Sequence, residues 1–168
     1  MAQRQSSGGY LPRVIERLRA EKFKCAENVP YEDQTFKCVA KKKGLSFTKF
    51  SFSETVFVFG WFASLDADSF HDFSSRCYSY ATNTRKIPLP LGYGATVYCF
   101  PVAIVENADA GLAEVVKNNV PPTHIGSAEV PSIYEVATNT IHYLEETPLW
   151  GFVYYGGFRK MIQRLLAP

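Results

Sequence analysis

The chain has 168 residues and a mass of 18.9 kDa, a length that fits one domain and is short for two. Apolar residues make up 46%, charged residues 20% and aromatics 15%, a composition that packs a core and excludes a disordered chain. The formal net charge of +2 falls short of the strongly basic balance of a dedicated nucleic-acid binder, so charge alone selects no partner.

Residues 1–9 are polar and end in glycine, without the apolar core of a secretory signal, and read as a flexible N-terminal tail ahead of one globular domain over 10–168. Pro12 suits the first position of a helix over 12–21, with Leu11, Val14, Ile15 and Leu18 on its apolar stripe and Arg13 and Arg17 on the other side. Alternating Phe23 and Cys25, then Phe36, Cys38 and Ala40, predict strands over 22–27 and 35–41 with a turn at 30–34. Lys41-Lys42-Lys43-Gly44 reads as a hairpin connection, followed by a strand over 47–59 whose Thr55-Val56-Phe57-Val58-Phe59 run is apolar on both faces. A sheet with such a strand needs helices on both sides.

Phe70, Phe73, Cys77, Tyr80 and Ala81 repeat at helical spacing after Ser64 or Asp66 as the cap, which predicts a second helix ending near Asn83. Pro88, Pro90, Gly92 and Gly94 make 84–94 a loop. The apolar stretch 95–105 predicts a buried strand interrupted or ended at Pro101, and it is about half the length that spans a bilayer. No membrane segment is expected. Asn107 or Asp109 caps a short helix to Asn119, and Pro121-Pro122 stops it. Strands are expected over 124–130, 133–137 and 140–145, with a further one over 150–155, before a last helix carrying Phe158, Met161, Ile162, Leu165 and Leu166. The expected fold is therefore α/β (α+β): one mixed sheet with helices on both faces, in the order αβββαβα, then further strands and a C-terminal helix.

The search for chemistry removes whole classes. Neither a P-loop nor GxGxxG is present, nor a GxSxG elbow, nor HExxH. Cys25, Cys38, Cys77 and Cys99 lie far apart in apolar settings, as buried thiols do, which suits a reducing cytoplasm and leaves a Cys25–Cys38 disulfide open. His71, His124 and His142 are isolated in sequence, and the five-residue gap from His124 to Glu129 puts the two on opposite faces of a regular strand, so a dyad there needs a bulge. A small-molecule enzyme built on His124 or His142 near the loop at 88–94 stays open as a third reading. No catalytic residue is assigned and no cofactor is implied.

The run of helix, three strands, helix and strand over 12–105 resembles, in element order, the core of the restriction-endonuclease-like superfamily. Its nucleases hold Mg²⁺ with an Asp on the second strand and a Glu-x-Lys on the third. By that resemblance the segment Glu32-Asp33-Gln34-Thr35-Phe36-Lys37-Cys38-Val39-Ala40-Lys41 is the second-strand region. Phe36 and Cys38 take the place of the acid, leaving Asp33, while the third strand offers Glu54 with Val56 where the Lys would stand and Lys49 ahead of the acid. Asp33 and Glu54 are thus the only metal-facing candidates, and the resemblance implies a degenerate or inactive site.

Two binding surfaces remain. Lys41, Lys42, Lys43 and Lys49, interleaved with Phe47 and Phe50, are candidates for a nucleic-acid backbone with bases stacked on exposed rings. Trp150, Phe152, Tyr154 and Tyr155 offer more aromatic surface than one strand usually buries, as protein interfaces do. The leading expectation is a non-enzymatic cytoplasmic domain that binds a protein partner or a copy of itself through that aromatic surface. The alternative is a nucleic-acid-binding or nuclease-related protein.

Overall fold

The computed structural model describes residues 4–46, 51–148 and 152–168. Its elements are α1 (Arg4–Ala20), β1 (Lys24–Tyr31), β2 (Gln34–Ser46), β3 (Ser51–Phe62), α2 (Ala67–Asn83), β4 (Ala95–Val105), α3 (Ala110–Asn118), β5 (Ser127–Glu129), β6 (Ser132–Glu135), β7 (Thr140–Tyr143) and α4 (Phe152–Leu165). Seven strands form one mixed sheet in the order β1-β2-β3-β4-β6-β7, with β5 beside β4 just ahead of β6. The β1–β2, β2–β3 and β6–β7 pairs are antiparallel, and β4 runs parallel to β3, β5 and β6. This is the expected α+β class. No described helix is long and apolar enough to cross a membrane.

Alternation along the strands divides the core into two layers. On one face α1 and α4 cover Cys38, Ala40, Phe57, Phe59, Phe100, Val102 and Ile104. On the other, α2 and α3 cover Val39, Val56, Val58, Val97, Cys99, Ala103 and Val105. Phe57 and Phe100, both fully buried, stack with ring centroids 4.6 Å apart; truncating either to alanine is expected to cost about 3–5 kcal/mol. The α2 stripe of Phe70, Phe73, Cys77 and Ala81 is buried as its spacing requires, and Asp66 caps the helix by accepting the Ser69 N–H at 2.8 Å.

Five expectations are corrected by packing and pairing. The first helix begins at Arg4 and contains Pro12 in its interior, so part of the expected tail is helical. Tyr10 supplies the reason: its ring stacks on Tyr134 at 3.4 Å and its hydroxyl donates to the Leu166 carbonyl at 2.8 Å, tying α1 to the end of the chain. Lys41–Gly44 is not a hairpin connection, because β2 continues through it to Ser46 with Lys43 opposite Glu54 and Gly44 opposite Ser53. The strand expected over 47–59 runs on to Phe62; residues 47–50 of that expectation lie outside the described residues. β4 runs unbroken through Pro101. Cys99 accepts from Val130 N–H on the β5–β6 side, so the missing Pro101 N–H points to that same side, where residues 130 and 131 have no ladder partners. Finally, the strand expected over 150–155 is absent from its described part: α4 already begins at Phe152, its stripe of Phe158, Ile162, Leu165 and Leu166 seated on the α1 side of the core.

Candidate functional site

The second half of β2 carries three consecutive lysines, and period-two geometry sends Lys41 and Lys43 to one face of the sheet and Lys42 to the other. On the α2 face they meet Lys24, the cross-strand neighbour of Lys41, together with Lys22 and, from the loop after α2, Lys86. These side chains, with Tyr80, Thr84 and Glu54, line a cleft of about 610 Å³. Lys42 contributes little charge to it, since its ammonium lies over the Phe23 ring at 5.4 Å and 4.0 Å from Glu21.

Glu54 lies within the cleft wall, 1% exposed. The backbone N–H of Lys86 donates to its Oε2 at 3.2 Å, and Lys41 Nζ lies 3.9 Å from its Oε1. Lys41 also donates to the Thr84 carbonyl at 3.3 Å and to the Thr84 hydroxyl, and it sits 4.7 Å from the centre of the Tyr80 ring. Burial lowers the Lys41 pKa below the ordinary 10.5; Glu54 opposes that shift and the nearby Lys86 charge adds to it. Lys22, Lys24, Lys43 and Lys86 take part in none of the ion pairs formed among the described residues. The cleft thus holds four uncompensated cations beside one buried, internally paired ion pair. It is built to attract anions.

The other candidates disperse. Asp33 lies in the β1–β2 turn, exposed and held by Arg76, which also binds Asp72 at 2.8 Å. Glu54 faces Lys43, nine residues along β2 from the Gln34 end where Asp33 sits, a separation of about 30 Å at the rise of a strand. The two acids share no site. Among the described residues no group of three or more His, Cys, Asp or Glu side chains converges as a metal would require. Lys49 and Trp150 lie outside the described residues, as does the side chain of Phe152. Tyr155 packs edge-on against Phe158 at 5.6 Å, while Tyr154 is 43% exposed and stacks along Phe158 at 6.4 Å. All four cysteines are free in the structure, with Cys25 and Cys38 neighbours within hydrogen-bond reach.

A second polar cluster was not legible from strand periodicity. Gly126, at φ +67°, turns the chain before β5 so that His124 Nε2 reaches Glu129 Oε2 at 3.0 Å, and the bulge expected to be needed is this turn. Glu129 is buried, accepts the Ser74 hydroxyl on its other oxygen, and lines a cleft of about 550 Å³ between α2 and α3. His124 stacks on Tyr78 with centroids 3.8 Å apart, and Tyr78 shares a hydrogen bond of 2.6 Å with Ser127. The carboxylate stands between the serine and the histidine, so the imidazole is not placed to take the serine proton as a nucleophilic triad requires. A similar pair joins His142 to Glu135 at 3.2 Å. Burial raises the Glu135 pKa, but hydrogen bonds from Thr138, His142 and the Ala108 N–H outweigh it and hold the carboxyl below its usual 4.5. Both pairs fasten neighbouring elements together: Glu129 joins β5 to α2, and Glu135 joins β6 to β7 and to the residues before α3.

Comparison with protein-family models, with curated proteins and with solved structures finds no match to this chain.

Proposed function

We propose that the chain binds the phosphate backbone of a nucleic acid in the lysine cleft. The observation that carries this reading is the convergence of Lys22, Lys24, Lys43 and Lys86, without an acidic partner among the described residues, around a cleft whose one lining acid is already engaged by Lys41. A phosphate chain supplies regularly spaced anions that such a row neutralises, with release of counterions. Glu54 acts here as the anchor of Lys41, because its two oxygens are committed to the Lys41 ammonium and the Lys86 N–H. The resemblance in element order to the restriction-endonuclease-like superfamily supports the same class of partner. The separation of Asp33 from Glu54 favours binding over cleavage. For the competing protein-interface reading, Tyr154 is exposed, and Trp150 and the side chain of Phe152 lie outside the described residues.

A fluorescence-anisotropy titration of short labelled DNA and RNA strands at low salt tests the reading. Wild-type protein is expected to bind at micromolar concentration or tighter, and Lys43→Gln/Lys86→Gln to bind at least about tenfold more weakly. Both substitutions are on exposed side chains, so folding is preserved. Equal binding by the two proteins, or none by either, overturns the assignment.

A further inference from the structure

The lysine row does not end in a polar surface. The cross-strand pair that follows Lys43–Glu54 on the same face of β2 and β3 is Leu45–Phe52. The β3 backbone continues the contact, with the Phe52 N–H donating to the Gly94 carbonyl at 2.8 Å. Gly94 closes the loop that begins beside the cleft at Lys86, and its neighbour Tyr93 is 80% exposed. Phe52 is 45% exposed at the end of a strand whose central residues facing α2, Val56 and Val58, are fully buried. Cations therefore give way, within one residue pair of about 7 Å along the strand, to the exposed ring of Phe52, and the exposed Tyr93 stands on the loop whose Gly94 carbonyl holds the Phe52 N–H.

This adjacency discriminates among polyanions. A duplex keeps its bases stacked inside and presents phosphate and sugar, so exposed rings gain little from it. A single strand offers every base as a partner for an aromatic face, and stacking is tolerant of sequence. Resting on the nucleic-acid reading of the cleft, we infer that its ligand is single-stranded nucleic acid, with phosphates along Lys22, Lys24, Lys43 and Lys86 and bases stacked on Phe52 and Tyr93. Leu45, beside Phe52, extends the apolar floor under the bases.

The test compares a labelled strand of mixed sequence, alone and annealed to its complement, against wild type, Phe52→Ala/Tyr93→Ala and Phe52→Trp/Tyr93→Trp, with heparin as a polyanion lacking bases. Wild type is expected to prefer the single strand over the duplex. The alanine variant is expected to lose about five- to hundredfold in single-strand affinity for each ring that stacks, while duplex and heparin binding stay unchanged. The tryptophan variant keeps the preference and shows fluorescence quenching on binding. Unchanged single-strand affinity in the alanine variant, or equal affinity of wild type for strand and duplex, overturns this inference and leaves the lysine cleft standing. Failure of wild type to bind strand, duplex or heparin overturns the cleft assignment itself.

Discussion

Glu54 and Lys41 make the strongest energetic claim on the cleft. The carboxylate is 1% exposed, and the lysine side chain, 21% exposed, reaches it at 3.9 Å. At an effective dielectric constant of about 20, two unit charges at that distance attract by about 4 kcal/mol before desolvation is subtracted. Cutting a fully buried pair at one end costs about 3–5 kcal/mol, because the remaining charge loses its partner. The stem of Lys41 still touches water, so about 2–3 kcal/mol is expected for Glu54→Gln, which leaves the ammonium without an anion. Lys41→Met is expected to cost a similar amount through the orphaned Glu54. The double variant should be more stable than the sum of the two losses predicts, by about 1–2 kcal/mol. Urea unfolding near neutral pH measures all three, provided the denaturant slope is unchanged. Linkage fixes a further sign. A lysine with a lowered folded pKa gives up its proton before the unfolded chain does, so its contribution to stability rises with pH in the window below 10.5. Losses that add within about 0.5 kcal/mol refute the coupling and, with it, the role of Glu54 as the anchor of Lys41.

Three other outcomes follow from the fold. Tyr10→Phe removes the hydroxyl that donates to Leu166 and is expected to lower stability by about 1–2 kcal/mol in the same urea assay, since it leaves a buried carbonyl unpaired; no change contradicts the tie between α1 and the chain end. Burial raises the thiol of Cys38 from 9.0 to about 12 and those of Cys77 and Cys99 upward as well. The native state therefore keeps protons that the unfolded chain releases. Stability from these thiols is full well below 9.0 and, for Cys38, declines as pH rises from 9.0 towards 12, by on the order of 1 kcal/mol at about pH 10; Cys38→Ala should remove its share of that slope. Gly126→Ala places a methyl group 1.9 Å from the Gly92 nitrogen at a backbone φ of +67°. It is expected to destabilise by more than about 2 kcal/mol and to release His124 from Glu129, visible as changed chemical shifts of the His124 imidazole at fixed pH.

The sequence made the layers legible because apolar periodicity reports burial directly. The α2 stripe and the doubly apolar Val56–Phe59 run are where that signal is cleanest, and both positions match the structure. Strand limits were less legible. Gly44 suggested a turn, yet a glycine whose Cβ would sit 2.6 Å from the Ser53 hydroxyl is also what a close cross-strand approach needs. Pro101 suggested a break, and only the gap between β5 and β6, a tertiary feature, accommodates it. The basic site was half legible. Lys41 and Lys43 at alternate positions mark one face, and Lys22 and Lys24 repeat that spacing, but the contribution of Lys86 depends on how the loop after α2 returns to Glu54. The His124–Glu129 pair depended on the turn at Gly126, which strict alternation cannot express.

The salt dependence of single-strand binding tests the central claim most directly. Four unpaired lysines on the phosphates of a single strand predict a slope of log affinity against log salt of about −2.8, an affinity loss of about fiftyfold between about 50 and 200 mM salt. Lys43→Gln/Lys86→Gln removes two of the four cations and should halve the slope, to a loss of about sevenfold over the same range. Binding that does not respond to salt, or a variant whose slope equals that of wild type, contradicts the account.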